Sequence, residues 1–227
     1  MKRIYLPLPL APGITVSLPE DVQHRLFRVM RMGQGEVLHL FNGTGPTVSA
    51  EIADPKCRTA TIIALLPERP ALPHLSLALG LLKRDAWETA LRQATEMGAT
   101  SIIPLKTRFS QVAKINAERA HSIIVEAAEQ SERDVLPNLL PVTSLEDFLS
   151  GLTAPCLWAY ERLIMEPPAK PHPQPTTVLV GPEGGFAPEE VTLLQNNNLI
   201  RPFSLGPTIL RADTAVVAAL THLSLAK

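Results

Sequence analysis

The sequence predicts an α/β protein of two parts: a small all-β barrel over residues 1–70, and an α/β domain with a largely parallel sheet over residues 71–227. Three observations lead there. Residues 1–70 hold five short strand-like runs separated by the turn signals Gly33, Gly35, Asn42-Gly43 and Asp54-Pro55. From Leu75 onward, continuous apolar runs alternate with helical periodicity, as in strands buried on both faces by crossover helices. Between the two patterns, Pro67, Pro70 and Pro73 mark a linker.

The five runs are Arg3–Leu6, Ile14–Leu18, Glu36–Phe41, Thr47–Ile52 and Thr59–Leu66. One helix interrupts them, from Pro19 to Met32, with Glu20 and Asp21 in its first turn. At 100° per residue, His24, Arg28 and Arg31 share a face, with Arg25 flanking it. Val22, Leu26, Val29 and Met30 take the other side. A basic face over an apolar one is what a backbone-phosphate patch needs, though spacing alone favours a merely solvated face.

In the second part, Leu75–Leu82 reads as a buried parallel strand. Asp85 then caps a helix with Trp87, Leu91, Ala94 and Met97 inward and Gly98 at its end. Ser101–Leu105 is a strand, Glu118 to Gln130 a helix, Ser144-x-x-Asp147 a capping box and Cys156–Tyr160 another strand. Residues 166–175 carry five prolines and read as a loop. Thr176 to Val180 runs into the turn Gly181-Pro-Glu-Gly-Gly-Phe186. Pro188, Glu189 and Glu190 open a helix that Asn196–Asn198 can stop in the left-handed conformation. A second apolar run ends at Phe203-Ser-Leu-Gly206, and a last helix spans Val216 to Leu225.

Of the 227 residues, 45% are hydrophobic and 19% charged, so a sizeable core is available. The net charge of −1 excludes a blanket basic surface, so RNA contact has to come from local patches. The balance is +2 over residues 1–70 and −3 over 71–227, which makes the first part the more RNA-friendly. Cys57 and Cys156 show no metal spacing, and no metal is expected. Pro7, Pro9 and Pro12 break the first apolar run, and no run is long enough to span a membrane, so a cytoplasmic protein is expected.

Two tight glycine turns at the ends of neighbouring strands let a small ligand approach backbone amides. A dinucleotide loop fits poorly: the order is not G-x-G-x-x-G, Pro182 lacks an amide donor, and Glu183 sits where a pyrophosphate would. A cofactor without phosphates, bearing a cation and ribose hydroxyls, fits better. An ordinary strand–turn–helix connection would also explain the first turn alone.

The pair G-P-E-G-G-F and L-G-P-T-I-L-R-A-D-T-A closely resembles the C-terminal signature of the RsmE family, SPOUT-class methyltransferases that modify N3 of a uridine in 16S ribosomal RNA. The resemblance covers nearly the whole chain. Lys83-Arg-Asp85, Ala94-Thr-Glu-Met-Gly98, Thr107-Arg-Phe-Ser110 and Glu126 to Arg133 resemble further family segments. Gln23 to Met32, with Gly35-Glu36 and Asn42 to Gly45, resembles the family's PUA-like RNA-binding domain. The sequence departs at Gln93, where lysine is usual, at Ala120, where an aromatic is usual, and at Ala212-Asp213, where Thr-Glu is usual.

The resemblance implies a trefoil-knotted methyltransferase domain that binds S-adenosylmethionine, pairs as a homodimer and acts on the small ribosomal subunit. It places the cofactor against Leu179, Val180, Gly181, Glu183, Gly184, Leu205, Gly206, Ile209 and Leu210. It gives Arg211 and Asp213 the chemistry: Arg211 neutralises the uracil oxygens, and Asp213 accepts the proton or orients Arg211. The same two residues could instead pair to hold the turn, with Asp213 or Thr214 capping the last helix. RNA contact falls to Arg3, His24, Arg25, Arg28, Arg31, Arg108 and Arg133. Two rival readings remain, a non-catalytic RNA-binding protein on this fold and a nucleotide-dependent oxidoreductase using Gly181–Gly185.

Overall fold

The computed structural model describes residues 2–110, 112, 114–160 and 176–225. The expected proline-rich loop at 166–175 lies outside these described residues. The chain forms two compact units, Met1–Ala71 with Ala128–Leu136, and Leu72–Ala127 with Pro137–Lys227. The first unit thus also holds residues 128–136, which no composition change sets apart from the second.

The first unit is built on a five-stranded sheet. Its strands are β1 (Arg3–Tyr5), β2 (Thr15–Ser17), β3 (Val37–Phe41), β4 (Val48–Ile52) and β5 (Thr59–Leu65), in the order β1-β3-β4-β5-β2. Only the β1–β3 pairing is parallel. A bulge between Ser49 and Ala50 bends the sheet. Alternating residues Leu38, Leu40, Val48, Ala50 and Ile52 point into one core with Ile4 and Leu26.

The expected helix begins as α1 (Glu20–His24) and continues as a π-helical turn, Arg25–Val29. Met30 N–H donates to Arg25 O, five residues back. The wider turn shifts the phase of the apolar stripe. Val22 and Leu26 are buried as expected, but Val29 is 68% exposed.

Residues 128–136 are tied to this unit by charge. Glu129 accepts two bonds from Arg25, at 2.8 and 2.9 Å, and one from Tyr5 N–H at 2.8 Å. Asp134 accepts from Arg3 and Thr47, and Arg3 also donates to Arg133 O. Burial alone would raise the pKa of Asp134, but the bonds from Thr47 and Arg3, with the charges of Arg3 and Arg69, lower it. A lowered carboxyl stabilises the fold above its ordinary pKa of 3.8 and loses that contribution as pH falls below that value and through the lower pKa of the folded state. Asp134→Asn is expected to destabilise the protein at pH 7 by about 2–3 kcal/mol. It is also expected to flatten the loss of stability below about pH 4, as read by urea unfolding across pH.

The second unit carries a seven-stranded parallel sheet. In chain order its elements are β6 (Ser76–Gly80), α2 (Arg84–Glu96), β7 (Ser101–Lys106), α3 (Ala117–Gln130), whose end joins the first unit, β8 (Asn138–Leu139), β9 (Thr143–Ser144) and α4 (Leu145–Ser150). There follow β10 (Cys156–Ala159), β11 (Thr177–Val180), α5 (Pro188–Asn196), β12 (Ile200–Phe203) and α6 (Ala212–Leu225). The order is β12-β10-β11-β6-β7-β8, with β9 also on β7. Both faces are covered, so the strands alternate between two cores rather than between core and water. Leu77, Val178, Val180 and Leu157 enter one core, and Ala78, Leu179 and Trp158 the other. After β12 the chain doubles back past β10, and α6 packs on β11 and α2.

Several helix ends follow the sequence; the cap of α2, the end of α5 and the start of α6, at Ala212 rather than Val216, do not. Helix α2 closes at Gly98 in a Schellman arrangement, with Gly98 N–H to Thr95 O and Ala99 N–H to Ala94 O. Ser144 accepts from Asp147 N–H and caps α4. The cap of α2, however, is Lys83, and Asp85 lies inside the first turn. Helix α5 ends at Asn197 with φ −86° rather than left-handed, because the Asn197 carboxamide accepts from Leu199 N–H and redirects the chain.

Candidate active site

In a parallel sheet the strands end on one side, and that edge is where a ligand meets loops rather than packed side chains. Here the ends of β6, β10, β11 and β12 adjoin, because β10 and β11 lie between the other two. The turn after β11 and the loop Ser204–Arg211 after β12 enclose a pocket of roughly 340 Å³. The first turn rides directly on β6: a Cβ at Gly80 would stand 2.5 Å from Pro182 Cδ, so only glycine permits this approach. Glu183 Oε1 accepts from Lys83 N–H at 3.3 Å, joining the turn to the start of α2. The far side of the turn is fixed by Glu190, 6% exposed, which accepts from Ala187 N–H and Arg108 N–H. In the second loop Gly206 has φ +125°, and Ser204 Oγ exchanges hydrogen bonds with its amide and carbonyl.

Most of the expected cofactor residues meet here. Val180, Gly181, Glu183, Leu205, Gly206, Ile209 and Leu210 line the pocket. Leu179 does not, because strand alternation turns it into the opposite core. Gly184 is not a lining residue either: it backs onto Phe109, whose Cβ would lie 3.0 Å from an added Cβ. Ala86, Ala159, Tyr160, Phe186 and Thr208 line the pocket without having been singled out in the sequence. Ala159 and Tyr160 follow from strand order, which places β10 beside β11, and nothing in the linear sequence carries that. Tyr160 stacks on Trp158 with ring centroids 4.3 Å apart, and Phe186 meets Trp158 edge-on.

Arg211 and Asp213 stand at the pocket and adopt different postures. The Arg211 carbonyl accepts from Ala215 N–H, so this residue opens α6, while its side chain is 83% exposed. Asp213 Oδ1 accepts from Thr214 N–H at 3.0 Å and lies 3.8 Å from Arg211 Nε. The carboxylate therefore steadies the first turn of α6 and loosely tethers the guanidinium. Among the described residues, the charges lining the pocket are Glu183, Asp213 and Arg211. That set suits a cationic ligand and disfavours a pyrophosphate.

The basic residues divide by burial. His24, Arg28 and Arg31 are exposed on the first unit, and the Arg28 guanidinium lies 5.3 Å from the Phe27 ring centre. Arg108 is exposed on the second unit. Arg3 and Arg133 are each 6% exposed, and burial lowers the pKa of Arg133 to about 10. Arg3 is spent on Asp134 and Thr47, and Arg25 on Glu129, so these side chains hold the fold together instead of facing phosphates.

A family model for the RNA methyltransferase domain matches residues 68–224. The chain is 34% identical to ribosomal RNA small subunit methyltransferase E of Rickettsia conorii over 98% of its own length and 95% of the relative. It is 30% identical to the Bacillus subtilis protein of that name, over 99% and 96%.

The chain belongs to the ribosomal RNA small subunit methyltransferase E family.

Among solved structures it resembles a putative methyltransferase from Legionella pneumophila in complex with bound SAM, with TM-score 0.86, 31% identity and coverage of 99% and 97%. It also resembles the methyltransferase E of Neisseria gonorrhoeae bound to S-adenosyl methionine, with TM-score 0.83, 28% identity and the same coverage. The α/β unit with its parallel sheet and returned α6 is thus the SPOUT fold, preceded by a half-barrel. Family membership removes the oxidoreductase reading. Of the three departures from the family pattern, Gln93 lies in α2, Ala120 is buried at 2%, and Asp213 reaches its own helix start.

Proposed function

We propose that this protein transfers a methyl group from S-adenosylmethionine to N3 of a uridine in 16S ribosomal RNA, acting in the cytoplasm as a homodimer on the small ribosomal subunit. The observation that carries the reading is the pocket between two glycine turns with the exposed Arg211 at its edge. The SAM complexes of the Legionella and Neisseria relatives support the choice of cofactor. The residues fit it: the pocket offers carboxylates for a sulfonium and an ammonium, and apolar walls at Val180, Leu205 and Leu210.

When bound, S-adenosylmethionine supplies an electrophilic methyl on sulfur. The chain's own part is alignment and charge. The turns hold the donor through backbone groups and keep it in line with the incoming base. Uridine N3 carries a proton and becomes a nucleophile only as that proton leaves. Arg211 stabilises the negative charge that develops on the uracil oxygens. Asp213, within reach of Arg211, orients it or takes the proton.

RNA affinity is assigned to Arg28, Arg31 and His24 on the first unit, which we read as a PUA-like domain built on residues 1–70 and completed by residues 128–136, and to Arg108 on the methyltransferase domain, which takes the rest of residues 71–227. Replacing Arg28 and Arg31 with alanine is expected to flatten the log–log salt dependence of RNA binding by about 1.5 units. S-adenosylmethionine affinity should stay unchanged. Methylation of 30S particles and naked 16S RNA across a salt series is the test, with mass mapping of the modified base. RNA binding without methyl transfer would leave the non-catalytic reading standing.

Dimerisation is expected from surfaces other than the buried side of α6. Ala215, Val216, Ala219 and Leu220 pack inside their own unit, whereas Ile209 is 79% and Leu225 81% exposed. Light scattering at micromolar concentration should give twice the chain mass. A monomer would remove the partner from the proposal.

A further inference from the structure

The exposed face of the first unit's helix carries more than charge. His24, Phe27, Arg28 and Arg31 are spaced i, i+3, i+4 and i+7, and all four are exposed. Phe27 is 39% exposed and takes no part in the core that holds its neighbours Val22 and Leu26. The Arg28 guanidinium lies 5.3 Å from its ring centre, close enough for a cation–π contact. Among the described residues no carboxylate meets His24, Arg28 or Arg31, whereas Arg3 and Arg25 are each paired with one. One aromatic ring thus stands among three basic side chains that the fold leaves unneutralised.

The end of the helix adds two observations. Arg31 has φ +54°, in the left-handed region where glycine is the usual residue at a helix end. Met32 N–H donates to Leu26 O across it, which closes the helix and sends Met32 into the core. Glycine would meet that backbone demand without strain, so what arginine adds here is its exposed side chain. Lys2 Nζ donates to Met30 O at 2.9 Å, which fixes a further cation at the same helix end. The acids of this helix, Glu20 and Asp21, stand in its first turn. The helix dipole favours cations at the last turn and gives no reason for an exposed ring among them.

We propose that Phe27 is a stacking platform for an unpaired base of the RNA substrate, with the phosphates flanking that base held by Arg28, Arg31 and Lys2. The proposal rests on the reading of this unit as RNA-binding. An exposed ring gains nothing from a duplex, whose base faces are stacked inside and which offers a protein its phosphates and ribose hydroxyls. A single strand offers both partners, a π-face for the ring and phosphates for the cations. A membrane surface fits less well, because the apolar side of this helix, Val22 and Leu26, is already buried in its own unit. A protein partner fits less well too, since one ring amid cations lacks the apolar centre of a stable interface.

The test uses the full-length protein with two fluorescently labelled probes, an oligouridylate of about 12 nucleotides and an RNA duplex of about the same length. Anisotropy is read across a salt series, without S-adenosylmethionine. Phe27→Ala is expected to weaken oligouridylate binding roughly tenfold at every salt concentration. The slope of the log–log salt dependence should stay as in the wild type, since stacking releases no counterions, and duplex affinity should not change. Phe27→Trp should keep the affinity and Phe27→Leu should lose it, because leucine supplies apolar area without a π-face. Thermal unfolding checks each variant, and Phe27→Leu carries the test should the alanine variant not fold. No oligouridylate binding by the wild type, unchanged affinity in Phe27→Ala, full affinity in Phe27→Leu, or an equal loss on the duplex overturns the platform. Binding is scored without methyl transfer, so failure of the platform leaves the enzymatic reading intact, and loss of methylation leaves the binding result standing.

Discussion

Arg211→Ala is expected to lower kcat for RNA methylation by about 10²–10³, the usual effect of removing one donor aimed at developing negative charge. The cause is local. Arg211 opens α6 through its carbonyl, a bond that alanine preserves, and its side chain is 83% exposed, so folding does not depend on it. S-adenosylmethionine affinity should change less than twofold, because the walls of the pocket are supplied by the two turns. Arg211→Lys should recover part of the rate, since an ammonium keeps the charge and loses the planar fork. Rapid-quench single-turnover methylation reads the chemical step directly. A wild-type rate in Arg211→Ala would sink the proposed role and leave Arg211 as a surface residue. Asp213→Asn separates the remaining alternatives. If Asp213 only steadies α6, the asparagine keeps an acceptor for Thr214 N–H and the rate falls little. If it takes the proton, the rate falls and its pH dependence changes.

Gly206→Val is expected to weaken S-adenosylmethionine binding by about 10- to 100-fold while the protein stays folded. An added Cβ meets nothing within 4 Å, so steric overlap is not the reason. The reason is the backbone: φ is +125°, and a β-branched residue held there costs on the order of 1–3 kcal/mol. The loop relieves that strain by moving away, which removes Leu205, Ile209 and Leu210 from the pocket together. Because Gly206 is exposed and belongs to neither core, the melting temperature should hardly move. Calorimetric titration with S-adenosylmethionine decides it, and unchanged affinity would falsify the placement of the cofactor against the second turn.

By itself the sequence determined the local elements and the chemistry of the two turns. Apolar periodicity placed the β-rich first part, the buried strands from Leu75 onward and most helix ends, because these depend on neighbours within a few residues. Gly181–Phe186 and Leu205–Asp213 were legible as one site because both turns follow strands and carry their glycines and charges in order. Tertiary structure alone decided the rest. Arg3, Arg25 and Arg133 read as RNA contacts because basic residues look alike in a linear string. Their neutralising partners, Glu129 and Asp134, are more than a hundred residues from Arg3 and Arg25 and become neighbours only when residues 128–136 join the first unit. Val29 turned outward because a π turn, invisible to a 100° period, advanced the helix by one residue. Leu179 fell on the wrong face because both faces of a parallel sheet are apolar, and hydrophobicity cannot say which one borders the ligand. Tyr160 and Ala159 joined the site through the order in which strands pair, a property of the folded sheet that no stretch of the chain encodes locally.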